Sequence, residues 1–129
     1  MFLLEAQQKV ASIGGIKVGG QPGQNPTVLI GSLFHRGDRL IQSRRERKFD
    51  RVKAREYILR QEELSRETAI PGMMDIVANS GEEFKSYIDF FVETTDMPFA
   101  IDAWNTTPKL EAARFVAELG LLDRLLYNS

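Results

Sequence analysis

Three short apolar segments of this chain each carry a polar side chain within them or at their end, and these polar residues recur at a nearly constant spacing. Asp75, Asp102 and Asn128 lie 27 and 26 residues apart. A strand, a loop and a helix together need about this length, so the spacing predicts successive βα units and a parallel sheet. Because the carboxyl ends of parallel strands meet at one edge of the sheet, we expect the three side chains to lie near one another.

The strands themselves are predicted from short runs of β-branched and apolar residues between turn signals, at residues 27–30, 73–78, 98–102 and 124–127. Side chains alternate between the two faces of a strand. If Asp102 points inward, Ala100 does too, and the intervening residues face the helices. If Asn128 points inward, Leu126 does too.

Three amphipathic helices are predicted between and after these strands, from apolar residues at helical spacing. The first is expected to begin after Asp50, a suitable N-cap, and to run to about Arg66. The second follows Ser80, which has a glutamate three residues later and so matches a capping box. The third opens at Thr107-Pro108 and stops at Gly120, because proline suits the first turn of a helix and glycine its end.

Residues 1–26 are expected to form a β-hairpin followed by a loop. Gly14 and Gly15 separate the short β-prone segments 10–13 and 16–18, and two glycines can supply the positive φ of a tight turn. A glycine-rich phosphate loop is the alternative, but no Lys-Ser/Thr pair follows and no helix begins there. The hairpin is therefore the favoured interpretation.

The order of the predicted elements, a hairpin followed by β, α, β, α, β, α and β, favours a TIM (β/α)8 barrel of the α/β class. Such a barrel takes roughly 250 residues. Residues 1–129 are therefore predicted to be one partial domain, the N-terminal half of the barrel. A free half-barrel would leave two sheet edges unpaired and its apolar interior open. We expect the polypeptide either to continue into the remaining strands or to pair with another chain.

Composition excludes several classes of function. The formal charge is −1, which gives no field to attract nucleic acid or an anionic membrane. There is no cysteine and only one histidine, so thiol chemistry and metal sites built on several histidines or cysteines are excluded. No apolar run approaches the roughly 20 residues of a membrane span. The N-terminal segment is too short and too soon acidic for a signal peptide, so a cytoplasmic location is expected.

Two features after the first predicted strand are interpreted as structural. His35 lies in a predicted loop without a visible partner and is expected to be incidental. Residues 44–55 hold seven of the 17 basic residues. A solvated loop and the first turn of a helix are favoured here over a docking patch for an acidic partner.

Two carboxylates and an amide at one sheet edge are mainly hydrogen-bond acceptors, and the amide can also donate. This set suits a flat, neutral heterocycle with an amidine-like edge. Ligation of a hard cation by Asp75 and Asp102 is a competing interpretation, although two carboxylates without a third acid or a histidine make a poor metal site. A paired-carboxylate hydrolase also stays open, because the spacing is generic. The pattern alone predicts a barrel-type ligand site and leaves its chemistry open.

Several runs of the sequence resemble one family of proteins. They are Gly14–Gly23, Asn25–Ser32, Arg60–Glu63, Met74–Val77, Phe99–Asp102 and Tyr127–Ser129. The family is the H-subunit group of the tetrahydromethanopterin S-methyltransferases, with its bacterial relatives the methyltetrahydrofolate:corrinoid-protein methyltransferases, some of which serve glycine betaine or methylamine demethylation. An aspartate on one strand and an asparagine on the next also resemble, more distantly, the pterin site of dihydropteroate synthase.

The resemblance implies a barrel that binds a methyl-pterin in its C-terminal mouth. The methyl group would pass between a nitrogen of tetrahydrofolate or tetrahydromethanopterin and the cobalt of a cobalamin-type corrinoid. A partner protein would carry this corrinoid, and the reaction would belong to one-carbon metabolism. The resemblance also implies a homodimer for the full-length protein.

The family's site residues carry over onto four positions of this sequence. Asp102 matches the pterin-binding aspartate at a strand end. Asn128 matches the strand-end asparagine that contacts the pterin, and we also assign it the catalytic role. Asp75 matches an acidic strand position, and Asn105 lies in the loop where relatives carry a polar residue. At Val77 some folate relatives carry asparagine instead, and the remaining pterin contacts of the family belong to later strands.

Two alternatives remain open at this point. The chain could be a non-catalytic or truncated barrel segment that acts in assembly. It could also belong to another pterin-binding barrel enzyme of the dihydropteroate synthase type, which would need a phosphate site from later strands. Methyl transfer to cobalt is a displacement at carbon that needs aligned partners and a proton or hydrogen bond for the leaving amine. A chain with no cysteine and one histidine is compatible with that chemistry.

Overall fold

Four parallel strands and three helices form the centre of the computed structural model, which describes residues 2–128. In chain order the elements are β1 (Val10–Ile13), β2 (Ile16–Gly19), β3 (Leu29–Leu33), β4 (Ile41–Ser43), β5 (Lys48–Phe49), α1 (Arg51–Thr68), β6 (Gly72–Val77), α2 (Gly81–Thr94), β7 (Phe99–Asp102), α3 (Thr106–Glu118) and β8 (Leu125–Tyr127), with a 3-10 turn at Leu122–Arg124. The central sheet has the order β3-β6-β7-β8, and all its neighbours are parallel. The predicted α/β class and parallel sheet are therefore confirmed.

The register of the sheet determines which side chains share a face. Ser32 pairs with Asp75, Asp75 with Ala100, and Ala100 with Leu126. Because directly paired residues point the same way, these four lie on one face, which we call the inner face. Asp102 joins them, since it follows Ala100 by two positions. The predicted common orientation of Asp102 and Ala100 is confirmed.

All three helices pack against the opposite face of the sheet. Phe99 and Ile101 of β7 point to this side, as predicted, and belong to one contiguous core. The same core takes its helical members from every helix, among them Ile58, Phe84, Tyr87 and Val116. Burial of this apolar surface is the main force that holds the layers together. Within residues 2–128, no helix is both long enough and apolar enough to cross a membrane.

Two glycines allow α1 to approach the sheet closely. The Gln61 side chain of α1 lies over Gly31 and Gly72, and a Cβ added to Gly31 would collide with the Gln61 Oε1. The Gln61 Nε2 donates a hydrogen bond of 2.9 Å to the backbone oxygen of Met73. A polar side chain thus satisfies a strand carbonyl inside an otherwise apolar interface.

The ends of the helices follow the predicted signals with small differences. Asp50 Oδ1 accepts from the N–H of Lys53 and Ser80 Oγ accepts from the N–H of Glu83, so both N-caps are confirmed. The third helix begins at Thr106, so Pro108 lies at its third position instead of the predicted first position. Gly120 follows its last turn with a φ of 72°, the left-handed conformation that glycine adopts without strain.

Each strand of the central sheet differs from its predicted bounds by a few residues at most, and two of these differences have a clear cause. β3 is shifted to Leu29–Leu33 instead of 27–30, because it pairs with β6 only from Leu29 onward. β8 begins at Leu125, because the preceding residues form a 3-10 turn. The shift of β3 reflects pairing with a neighbouring strand, which local sequence does not reveal.

The N-terminal hairpin forms as predicted, with β1 and β2 joined at Gly14-Gly15. Its turn lies against the amino ends of β7 and β8. The Gly14 N–H donates a hydrogen bond of 2.6 Å to Asp123 O, and a Cβ on Gly14 would press on the Pro98 ring. The hairpin therefore covers part of the amino-terminal end of the sheet.

A second small hairpin, β4 with β5, was not predicted. It lies within the segment 41–49, where the many charged residues do not give the sequence pattern that is typical of strands. Phe49 of this hairpin packs edge-on against Phe34 at a ring distance of 4.8 Å, and Phe34 stacks on Tyr87 of α2 at 4.0 Å. The basic stretch 44–55 is thus partly anchored by aromatic packing, and only its last residues belong to a helix.

Hydrogen bonds of Asp38, Arg44 and Glu83 organise the loop after β3. Asp38 accepts from the N–H groups of Phe34 and Leu40 at 2.7 and 2.9 Å. Arg44 donates to Phe34 O at 2.7 Å and pairs with the buried Glu83 carboxylate at 3.3 Å. Glu83 also accepts from the Asn79 N–H at 3.0 Å. We call Asp38, Arg44 and Glu83 the rim network, because it joins the loops after β3 and β6.

Replacing Glu83 with alanine should lower the free energy of unfolding by about 2 kcal/mol, because Arg44 and the Asn79 N–H both lose a buried acceptor. Urea unfolding measures this loss. Glu63→Ala is the matched control, since Glu63 forms an exposed pair with Arg60 on α1 and such pairs contribute little. Equal losses in the two variants would contradict the structural role of the rim network.

Candidate functional site

Asp75 and Asp102 share one open cavity at the carboxyl ends of the central strands. The cavity has a volume of about 910 Å³, within the range of small-molecule sites. Its floor is the inner face of β3, β6 and β7, and its walls are the loops that follow these strands. The lining residues are Ser32, His35, Arg36, Arg44, Asp75, Val77, Ala78, Asn79, Asp102, Ala103, Trp104 and Lys109.

Asp75 occupies the centre of this floor because β6 lies between β3 and β7. Its Oδ1 atom is buried and finds no hydrogen-bond partner within residues 2–128. Burial, and secondarily the charge of Asp102, raises the pKa of the Asp75 carboxyl to about 6. A buried acceptor without a partner costs stability, so this oxygen is suited to receive a hydrogen bond from a ligand.

Asp102 ends β7 on the same inner face and is only partly buried. Its backbone oxygen accepts from the Ala78 N–H at 3.2 Å, which holds the end of β7 against the end of β6. The side chain lies on the same face as Asp75 and lines the same cavity. The two carboxylates are two of the three polar residues that the spacing of the sequence predicts at this edge; the third, Asn128, does not line the cavity.

The other two predicted site residues lie at the periphery. Alternation from Leu126 assigns Asn128 to the inner face, but Asn128 is exposed and is not among the residues that line the cavity. Its backbone extends the sheet through a 3.3 Å hydrogen bond to Ile101 O. Asn105 is the exposed N-cap of α3, and its side chain makes no capping hydrogen bond. The described chain thus joins two of the four predicted residues in one cavity.

Several lining residues were not predicted as site residues. Lys109 is buried, and its Nζ donates to Asn128 O at 3.1 Å and lies 5.3 Å from the Tyr127 ring centre. Ser32 faces Asp75 across the ladder, which only the register reveals. His35, interpreted as incidental, lies at the cavity wall with half of its side chain exposed. Only Ser32 carries a local signal, since it is a polar residue within an otherwise apolar strand, as Asp75 is.

The donor set for a metal ion is small. Within residues 2–128, no three side chains of histidine, cysteine, aspartate or glutamate lie close enough to share an ion. The cavity offers two carboxylates and one hydroxyl on its floor, and a hydroxyl is a weaker ligand than a carboxylate. The arrangement is better suited to accept hydrogen bonds from an organic ligand.

A second cavity, of about 370 Å³, lies at the amino-terminal end of the sheet. The N-terminal hairpin and the apolar inner-face residues Ile30, Met73 and Leu126 line it. Neither aspartate contributes to it. The ionisable groups of the inner face are therefore concentrated at the carboxyl end, where α/β proteins place their working residues.

The raised pKa of Asp75 predicts a pH-dependent gain of stability in Asp75→Asn. The folded protein holds this proton more tightly than the unfolded chain, whose aspartate has a pKa of about 4. Ionisation of Asp75 therefore destabilises the fold progressively between about pH 4 and pH 6. The Tm of Asp75→Asn relative to the wild type should rise across this window and level off above it.

Thermal melts at pH 4, 5, 6 and 7 measure this difference. Asp89→Asn, which removes an exposed carboxylate of α2, controls for the change in net charge. A Tm difference for Asp75→Asn that stays constant over the four pH values would contradict the raised pKa.

Known proteins similar to this chain include components of methyltransferases. A family model described as the tetrahydromethanopterin S-methyltransferase MtrH subunit matches residues 6–129. A protein of Methanosarcina acetivorans whose name describes it as the H subunit of an mtx methyltransferase is 40% identical over 129 residues, which is 100% of this chain and 42% of that protein. The tetrahydromethanopterin S-methyltransferase H subunit of Methanopyrus kandleri is 40% identical over 123 residues, 95% of this chain and 38% of the relative.

The corresponding H subunit of Methanothermobacter thermautotrophicus is 38% identical over 129 residues, 100% of this chain and 42% of the relative. The chain thus spans about two fifths of the length of the curated relatives it matches. The family model covers nearly every residue of the chain. This chain therefore belongs to the tetrahydromethanopterin S-methyltransferase MtrH subunit family.

Proposed function

We propose that this chain forms the N-terminal part of a methyltransferase that acts on a methyl-tetrahydropterin. The pterin is tetrahydromethanopterin or tetrahydrofolate. The methyl group passes between this pterin and the cobalt of a corrinoid that a partner protein carries. The names of the relatives support the reaction class, and two of those described above name tetrahydromethanopterin. The cavity formed by Asp75 and Asp102 supports the location of the site.

We further propose that the sheet belongs to a TIM barrel. Its strands lie in chain order, and each inner strand pairs with the strand before and the strand after it in the sheet. Helices pack on one face only, whereas doubly wound sheets carry helices on both faces. The inner face is apolar at its amino end and polar at its carboxyl end, as in a barrel whose mouth binds the ligand. Later strands would complete the barrel and the remaining pterin contacts.

The observation on which the proposal depends is the unpaired buried oxygen of Asp75 beside Asp102. The 2-amino-pyrimidine edge of a pterin carries adjacent N–H donors, and a carboxylate accepts from such a pair in a planar arrangement. Two carboxylates on neighbouring strands offer enough acceptors for that edge. The ligand would thereby satisfy a group that residues 2–128 leave without a partner.

The residues of the chain contribute orientation and hydrogen bonding to the transfer. Displacement at a methyl carbon depends mainly on alignment of the two reactants. Asp102 and Asp75 would hold the pterin edge, and Asn128 would contact the pterin and assist as the methyl group leaves its nitrogen. Asn105, at the rim, would add a polar contact. Because the pKa of Asp75 is raised to about 6, this carboxyl is also suited to exchange a proton near neutral pH.

The corrinoid supplies the cobalt that accepts or returns the methyl group. A partner protein would carry it, and the open mouth of the cavity is the side from which it would approach. We place the reaction in one-carbon metabolism in the cytoplasm, with a homodimer as the state of the full-length protein.

Asp102→Asn and Asp75→Asn should each weaken the binding of methyl-tetrahydromethanopterin or methyl-tetrahydrofolate by roughly 10- to 100-fold, because a charge-assisted hydrogen bond to the pterin edge is lost. Calorimetric titration of the complete gene product measures the Kd. Asp89→Asn again serves as the control, since this exposed carboxylate of α2 lies outside the cavity lining.

Unchanged Kd values in both cavity variants would reject this site. Failure of the wild type to bind either pterin would reject the methyl-pterin function itself and would favour a role in assembly. Because asparagine is close in shape to aspartate, Tm values of the variants at pH 7 that are no more than a few degrees below that of the wild type confirm that the fold is intact.

A further inference from the structure

Trp104 is the single tryptophan of the chain, and its side chain is 99% exposed. Its backbone is nevertheless held on both sides. Ala103 is buried, and α3 begins two residues later at Thr106. Large aromatic side chains stabilise proteins mainly when they are buried or paired. Within residues 2–128 the packing therefore gains little from this indole, although the loop that carries it is short and anchored.

The position of Trp104 relates it to the candidate site. It directly follows the end of β7, and it lines the same cavity as Asp75 and Asp102. The sheet order β3-β6-β7 places Asp75 between two walls. The loop with His35 forms the wall beyond β3, and the loop with Trp104 forms the wall beyond β7.

A flat heterocycle that is held by its edge presents its two faces to these walls. The floor residues Ser32, Asp75 and Asp102 recognise hydrogen-bonding groups at the edge, but they give no apolar surface to a ring face. The apolar lining near them is small, namely Val77, Ala78 and Ala103. Trp104 supplies the largest aromatic surface of the lining, and stacking is the usual way in which proteins bind the face of a heterocyclic base.

We propose that Trp104 stacks on one face of the pterin ring whose edge Asp75 and Asp102 hold. This proposal rests on the methyl-pterin function proposed above and adds a positioning residue to it. The indole covers the ring from the β7 side and orients the pterin relative to the cavity floor.

The test compares Trp104→Ala and Trp104→Phe in the complete gene product. Calorimetry measures the Kd of methyl-tetrahydromethanopterin and of methyl-tetrahydrofolate, and the pterin that the wild type binds more tightly is used. Trp104→Ala should raise this Kd about 10-fold, in the range of stacking on a single base. Trp104→Phe should raise it less than about threefold, because phenylalanine retains a stacking surface.

Tyr57→Ala is the matched control, since Tyr57 is an aromatic residue of α1 that is 55% exposed and outside the cavity lining. The Kd of this variant for the pterin should equal that of the wild type.

Fluorescence gives a second readout. The emission of Trp104, obtained as the difference between the wild type and Trp104→Phe, should be quenched on saturation with the pterin.

An unchanged Kd for Trp104→Ala, with no change in the Trp104 emission, would overturn the stacking while leaving the methyl-pterin function intact. If Trp104→Ala instead raised only the KM for the corrinoid protein, the indole would be a docking residue for that protein, and stacking would also be overturned. A wild type that binds neither pterin would overturn both proposals.

Discussion

The in-register pairing of β3, β6 and β7 is the constraint on which the candidate site depends. A shift of β6 by one residue would turn Asp75 into the core and Ile76 out of it, because side chains alternate along a strand. Burial of an ionised carboxylate among apolar groups is far more costly than burial of isoleucine. The packing of Ile76 and Ile101 beneath the helices therefore selects the register that brings the two aspartates together. Along each strand, therefore, residues that pack in the core alternate with residues that face the candidate site.

The features that local sequence predicts correctly are those with a local physical cause. A tight turn needs positive φ, so Gly14-Gly15 indicated the hairpin. A free helix N-terminus needs an acceptor, so Asp50 and Ser80 indicated the starts of α1 and α2. The spacing of the polar residues matches the length of a βα unit and predicted the parallel sheet. The alternation of side chains along each strand then predicted which residues share the inner face. From these, Asp75 and Asp102 could be assigned to one edge without coordinates.

The remaining features arise from contacts between distant segments. The β4-β5 hairpin is stabilised by aromatic packing of Phe49 on Phe34. The charged sequence of the hairpin itself does not indicate this contact. Arg44 belongs to a basic run, yet Glu83, 39 residues away in sequence, makes it part of the rim. Lys109 is buried because Tyr127 and Asn128 O receive its ammonium group. Burial and partners of this kind depend on tertiary structure, so a pattern of residue types does not indicate them.

The chain-order arrangement of the sheet has a consequence for biosynthesis. Each βα unit leaves the ribosome after the strand with which it pairs, so β7 can add to β6 and β8 to β7 without waiting for distant segments. Pairing between consecutive units keeps the sequence separation of these contacts smaller than pairing between distant strands would, so the sheet can grow in the order of synthesis. The nascent polypeptide can thus assemble its mouth-forming carboxylates early, as soon as α2 and β7 have emerged.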